Sequence, residues 1–164
     1  MKSLLYKFLF VTALFTAVSC EDFETVNSDP NNPKEVPTNM IMAGVQKQIM
    51  DNVYDNWFSG RQSLVYSQYW AQRNYTEEDR YQIRESTNNN YFNYFYQSAA
   101  NLEAIIEMNT NEATAPRMAA YGDNNNQIAA AKILKVWLYQ LMTDTWGAIP
   151  YSEASKLTEG KLDR

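Results

Sequence analysis

The 164-residue chain contains no histidine, one cysteine and only five glycines. Without histidine it lacks the commonest general base at neutral pH and the commonest nitrogen ligand for zinc. A Ser-His-Asp triad, a Cys-His pair and a His-Glu-x-x-His metal site are excluded within this segment. A lone thiol in an exported protein ordinarily points to intermolecular pairing or a reactive site. The apolar run at residues 8–18 is too short to cross a hydrocarbon core of about 30 Å, which takes about 20 apolar residues in a helix. Positive charge is in deficit, with 14 basic against 19 acidic residues. Aromatic side chains are plentiful instead: 12 Tyr, 4 Trp and 7 Phe.

The short apolar run has a specific context. Lys2 and Lys7 precede or open it, and small residues lead to Cys20. A charged start, a short apolar core and a small-residue cleavage point describe a secretory signal peptide, residues 1–19. The run Ala17-Val18-Ser19-Cys20 resembles a bacterial lipobox, which implies cleavage before Cys20 and diacylation of that residue. The alternative is an unmodified cysteine discarded with its leader. The position speaks against catalysis, because nothing upstream would survive to form a site. Several acyl chains on one residue would anchor the protein stably, at about 0.8 kcal/mol per buried CH₂. Glu21, Asp22 and Glu24 resemble a signal for export to the outer face of the outer membrane, although an ordinary acidic linker would look the same.

Removing residues 1–19 takes away Lys2 and Lys7 and no acid, so the formal charge of −5 becomes −7. Such a surface disfavours nucleic acid, whose phosphates need clustered Lys and Arg. It equally disfavours anionic lipid beyond the anchor. The expected partners are neutral molecules and other proteins.

Residues 20–37 read as a lipidated cysteine and flexible tether. Asn27-Ser-Asp-Pro-Asn-Asn-Pro33 is turn chemistry throughout. Thr38, after Pro37, is placed to cap a helix over 38–58, with Ile41, Val45, Ile49, Val53 and Trp57 on one ridge. Gly60 is the expected break, followed by a helical stretch over 61–73 carrying Leu64, Val65, Tyr69 and Trp70. Residues 74–86 are charged and aperiodic, which predicts a loop. Asn74-Tyr-Thr76 matches a glycosylation sequon that a bacterial lipoprotein would rarely use.

Ser86 or Thr87 is placed to cap a third helix over 88–108, with Phe92, Phe95, Ala99, Leu102 and Ile106 on its apolar face. Residues 109–123, with Pro116 and Gly122, form a polar connection. The last helix, 124–143, should bury Ala130, Ile133, Leu134, Trp137, Leu138 and Leu141, with Lys132, Lys135 and Tyr139 toward solvent or a partner helix. Gly147 can take a left-handed conformation at its end, and Pro150 forbids continuation. No strand pattern is present. The expectation is an all-α fold of tetratricopeptide-like helical hairpins over 38–164, without a tidy 34-residue repeat. Because Lys161-Leu-Asp-Arg164 follows with no closing element, the chain is expected to be the N-terminal part of a longer protein.

The lipobox, the Asn/Pro-rich tether, the Tyr/Trp-rich helices and the run Trp137-Leu-Tyr-Gln-Leu-Met-Thr-Asp-Thr-Trp-Gly-Ala-Ile-Pro-Tyr-Ser-Glu-Ala154 together resemble the SusD/RagB family, most closely its SusD-like branch. The resemblance spans essentially the whole chain but only the opening third or so of a usual member. It implies an α-helical nutrient-binding lipoprotein on the outer-membrane surface. Such a protein sits as a lid on a SusC-type TonB-dependent transporter and passes it oligosaccharides, or sometimes peptides, without cleaving them.

Carbohydrate presents apolar C–H faces beside many hydroxyls, so its binding calls for flat exposed rings rimmed by Asn, Gln, Arg or Asp. Trp70, Arg73, Asn74, Tyr75 and Tyr81 offer that combination. The competing reading buries Tyr69 and Trp70 in the core, since Tyr/Trp sets at helical spacing usually pack. Asp144, Trp146, Gly147, Pro150 and Tyr151 form a hallmark loop whose residues suit a helix stop that packs an indole. Glu77-Glu78-Asp79 could be taken for glycosidase carboxylates, but three adjacent acids point in different directions and read as a solvated charge run. No catalytic residue, cofactor or metal site is expected, and no EF-hand spacing occurs. The rival readings are a lipoprotein enzyme, such as a glycosidase with catalytic residues beyond 164, and a helical-repeat scaffold that binds only protein.

Overall fold

The computed structural model describes residues 36–154. The expected signal peptide 1–19, Cys20, nearly all of the expected tether 20–37 and the terminal Lys161-Leu-Asp-Arg164 lie outside the described residues. Within 36–154 the fold is all-α, with no strand. Helix α1 is Thr38–Val53, α2 is Glu85–Thr110, α3 is the short turn Ala115–Met118, and α4 is Asn124–Trp146. A wide π-type helical segment, Asn56–Leu64, follows α1. The long helix α2 packs on both α4 and α1, so it forms the middle of the bundle.

The ridge expected on α1 is present. Val45, Ile49 and Val53 are buried, and Ile41 packs partly against the same core. The boundaries differ from the sequence reading. Pro37 occupies the N-cap, and Thr38 opens the helix with its hydroxyl donating to Gln127 on α4. The break comes at Tyr54 and Asp55, before Gly60. Asp55 is extended, and its carboxylate accepts from the amides of Trp57 at 2.9 Å and Phe58 at 2.6 Å, capping a new helical segment. Its second oxygen accepts the Tyr91 hydroxyl, which moors that segment to α2. Trp57 therefore belongs to the second segment, and Gly60 lies inside it, where a Cβ would meet the Trp70 ring at 3.3 Å.

Helix α2 begins at Glu85 without a side-chain cap, so neither Ser86 nor Thr87 serves as one. It buries Tyr91, Phe95, Ser98, Ala99, Leu102 and Ile105, a single stripe at gaps of three and four. The connection 109–123 contains α3 and a 3₁₀ turn, Ala119–Tyr121.

Helix α4 is capped by Asp123, whose side chain accepts from the Asn126 amide. Its buried face is offset from the expected one. Ala131, Leu138, Tyr139 and Met142 are buried, whereas Ile133 is 72% exposed and Trp137 and Ala130 also face outward. A helix apolar on most sides does not declare its inner face by pattern, and a shift of one residue turns it by about 100°. Lys135, expected to face solvent or a partner, pairs with Glu103 of α2 at 2.5 Å.

Candidate functional site

The helical segment after Asp55 ends at a tight stop. The Tyr69 amide donates to the Leu64 carbonyl at 2.9 Å and the Gln68 amide to Val65 at 2.9 Å, with Gln68 left-handed at φ 63°. This is the Schellman pattern, usually completed by glycine. It recurs thirteen residues later, where the Gln82 amide donates to Glu77, the Tyr81 amide donates to Glu78, and Tyr81 has φ 55°. The two stops are tied together, because the Gln68 side-chain amide donates to the Tyr81 hydroxyl at 3.0 Å. Tyr75, between them, is left-handed too. Each such residue costs about 1 kcal/mol, and these are the only non-glycine cases among the described residues.

What holds this loop is a knot of charge. Glu78 is only 3% exposed. Its carboxylate meets Arg84 Nε at 2.9 Å and Arg61 at 3.9 Å, and accepts the Gln72 side-chain amide at 2.8 Å. Asp79 accepts the Gln72 backbone amide at 2.6 Å, and Glu77 pairs with Arg84 at 2.6 Å. The Glu77 carboxyl is held below its ordinary range, chiefly by a backbone hydrogen bond; desolvation opposes this, and the charge and hydrogen bond of Arg84 add to the lowering. The Arg61 guanidinium lies 4.0 Å from the Trp57 ring centroid, and that of Arg84 lies 5.4 Å from it, each in cation–π contact. The reading of 77–79 as a solvated run is thus corrected: all three acids are engaged, Glu77 and Glu78 sharing Arg84 and Glu78 and Asp79 sharing Gln72, and Glu78 is buried. Acidic spacing alone gave no sign of this, since the arginines lie on either side of the run at no helical interval.

The sequence-selected residues sit on this braced loop. Trp70 is 59% exposed and Tyr75 is 74% exposed, and Tyr69, Arg73, Asn74 and Tyr81 also face solvent. The alternative that buries Tyr69 and Trp70 does not hold, because the helix stops before reaching them. Tyr81 stacks on Tyr66 at 5.8 Å and 18°, and its hydroxyl donates to the Tyr66 carbonyl at 3.2 Å. The Tyr66 phenol is raised by burial and by the Glu78 charge, with Arg84 opposing. Tyr66 is a contributor that sequence reasoning passed over; it lies a full turn before the aromatic run. Arg73 and Asn74 make no hydrogen bond or ion pair with the described residues, so their polar groups are available to a ligand.

The hallmark loop lies at the far end of α4. Trp146 packs edge-on to Phe92 at 5.4 Å and against Phe95 at 5.9 Å. Gly147 ends the helix at φ 80°, its amide donating to Thr143 at 2.8 Å. The Tyr96 hydroxyl donates to the Pro150 carbonyl at 2.5 Å. Tyr151 meets Tyr139 edge-on at 4.7 Å. Asp144 stays exposed at the helix end. No group of three His, Cys, Asp or Glu among the described residues is arranged to hold a metal ion.

The described residues thus form an all-α body that presents flat rings and amides on a braced loop. A family model described as starch-binding and associating with the outer membrane, SusD-like, matches residues 30–163. The chain belongs to this SusD-like family. Comparison with curated proteins and with solved structures gives no match.

Proposed function

We propose that the protein is a surface-exposed outer-membrane lipoprotein that binds oligosaccharide, or peptide, nutrients and delivers them to a SusC-type TonB-dependent transporter. In this reading residues 1–19 are the leader, Cys20 carries the lipid, the tether extends to residue 37, and residues 38–164 begin the SusD-like helical domain. Ligand is held by ring stacking and polar contacts, and no bond is made or broken.

The observation that carries the proposal is the set of exposed rings at Trp70, Tyr75 and Tyr81 on an ion-paired loop, with Arg73 and Asn74 beside them unengaged by the other described residues. Rings fixed in place before the ligand arrives lose little freedom on binding, which is the usual route to useful affinity for a weakly held, well-hydrated ligand. The acidic balance and the SusD-like family favour a neutral saccharide.

Calorimetry on the full-length protein with neutral oligosaccharides tests this. Trp70→Ala should weaken binding at least tenfold, since one ring stacked on a ligand is worth about 0.5–1.5 kcal/mol beyond the area it buries. Hydrolysed product in the cell would favour an enzyme. Silence toward every glycan and peptide, with tight binding of a protein partner, would favour a scaffold.

A further inference from the structure

The hallmark run borders a cleft that its role as a helix stop does not account for. The cleft has a volume of about 350 Å³, inside the roughly 300–1,000 Å³ span of small-molecule sites. One wall is the helical segment after Asp55, bringing Gln62 and Tyr66. A second is the start of α2 at Asn88, and a third is the end of α4, bringing Asp144 and Trp146. We infer that this cleft is a second sugar subsite, which takes a neutral pyranose unit of the same oligosaccharide that stacks on the aromatic loop. The inference rests on the saccharide reading above.

Three observations support it. The first is unspent hydrogen-bonding capacity. The Asp144 carboxylate makes no hydrogen bond or ion pair with the described residues, and it faces the cleft. Gln62 donates its side-chain amide to Asn88 at 3.1 Å, which leaves the Gln62 oxygen as an acceptor and the Asn88 nitrogen as a donor. Thr145 spends its proton on the Leu141 carbonyl at 2.7 Å and keeps its oxygen as an acceptor. A donor surrounded by several acceptors suits a ring of hydroxyls, each of which both gives and takes.

The second is continuity. Tyr66 lines the cleft and is also the ring on which Tyr81 stacks. Ile83, another lining residue, follows Tyr81 by two positions. A chain of sugars lying on the loop can therefore run past Tyr66 into the cleft without leaving the surface. The third is charge. Among the described residues no Lys or Arg lines the cleft and Asp144 is its one charged side chain, so anionic ligands are disfavoured.

The test is calorimetry on the full-length protein, titrated with maltoheptaose, with xylo- and manno-oligosaccharides alongside, and with a lysine-containing tripeptide. Asp144→Asn and Gln62→Ala are compared with Trp70→Ala on the loop. Thermal melts of each variant accompany the titrations. Each cleft variant should weaken the bound oligosaccharide about tenfold, the loss expected for one hydrogen bond to a charged or well-placed polar group, with an unchanged melt for the exposed Asp144. If Trp70→Ala weakens binding while both cleft variants leave it unaltered, the second subsite is wrong and the loop reading stands. If the wild type binds none of the oligosaccharides, the saccharide reading falls and the subsite falls with it. If Asp144→Asn instead releases the lysine tripeptide, the cleft is an amine site and the inference is overturned.

Discussion

At the residue scale, burial decides which charges matter. Lys47 and Asp51, an exposed pair one helical turn apart, contribute a few tenths of a kcal/mol at most. Glu78 is different, because it is almost fully enclosed and two arginines and an amide converge on it. Removing Glu78 takes the buried counter-charge from two arginines that are themselves only 25% and 28% exposed, and breaking a buried pair in this way costs about 3 kcal/mol, the lower end of the usual range because Arg84 keeps Glu77. Glu78→Ala should therefore lower stability by about 3 kcal/mol in urea denaturation, and an unchanged midpoint would show that the knot adds nothing net. Tyr96 gives a pH signature of opposite origin. Burial, and secondarily the Tyr139 charge, push its phenol from 10.0 up to about 12, and Tyr91 moves in the same direction through burial and Asp55. The folded protein holds these protons longer than the unfolded chain does. The Tyr96 contribution is complete below pH 10.0 and is lost as pH rises through about 12, and the Tyr91 contribution is lost at still higher pH. Melting temperature should fall across that window. Tyr96→Phe should flatten part of the fall, while leaving the Tyr91 share; a profile identical to wild type would contradict the assignment.

At the scale of elements, stops matter as much as helices. Gly147 ends α4 with φ 80° and ψ −137°, a combination that side chains rarely adopt, yet nothing lies within 4 Å of where a Cβ would stand. The cost of Gly147→Ala is then purely conformational, about 1–2 kcal/mol. It should appear as a lowered melt with no loss of packing around Trp146, whose fluorescence reports on Phe92 and Phe95. This stop was legible in advance because glycine and Pro150 are unambiguous punctuation. The ridge of α1 and the stripe of α2 were legible for a related reason: their polar and apolar residues alternate cleanly at helical spacing. Other features were hidden. The break at Asp55 depends on one carboxylate serving two amides and a distant tyrosine, and the stops at Gln68 and Tyr81 use residues that sequence rules do not associate with left-handed turns. The inner face of α4 could not be read because apolar residues occur nearly all round it. The aromatic loop was found by composition, whereas the ion-paired knot that braces it became visible only once Arg61 and Arg84 were brought to Glu78 in space.

At the scale of the whole molecule, the question is what would hold the proposed binding protein at the outer membrane. No helix among the described residues is long and apolar enough to cross a membrane, and the acidic chain is repelled by anionic lipid. In the proposed reading, retention falls to acyl chains on Cys20. One chain alone binds a bilayer marginally, whereas two or more, each CH₂ adding about 0.8 kcal/mol, hold essentially permanently. Cys20→Ala should therefore abolish labelled palmitate incorporation and shift the full-length protein out of the outer-membrane fraction. The braced loop lies at residues 67–84, far along the chain from Cys20, so the released protein should bind oligosaccharide as the wild type does. The two readouts separate anchoring from recognition. A Cys20→Ala protein that stays in the membrane fraction at undiminished yield would mean that a protein partner, and not lipid, supplies the attachment.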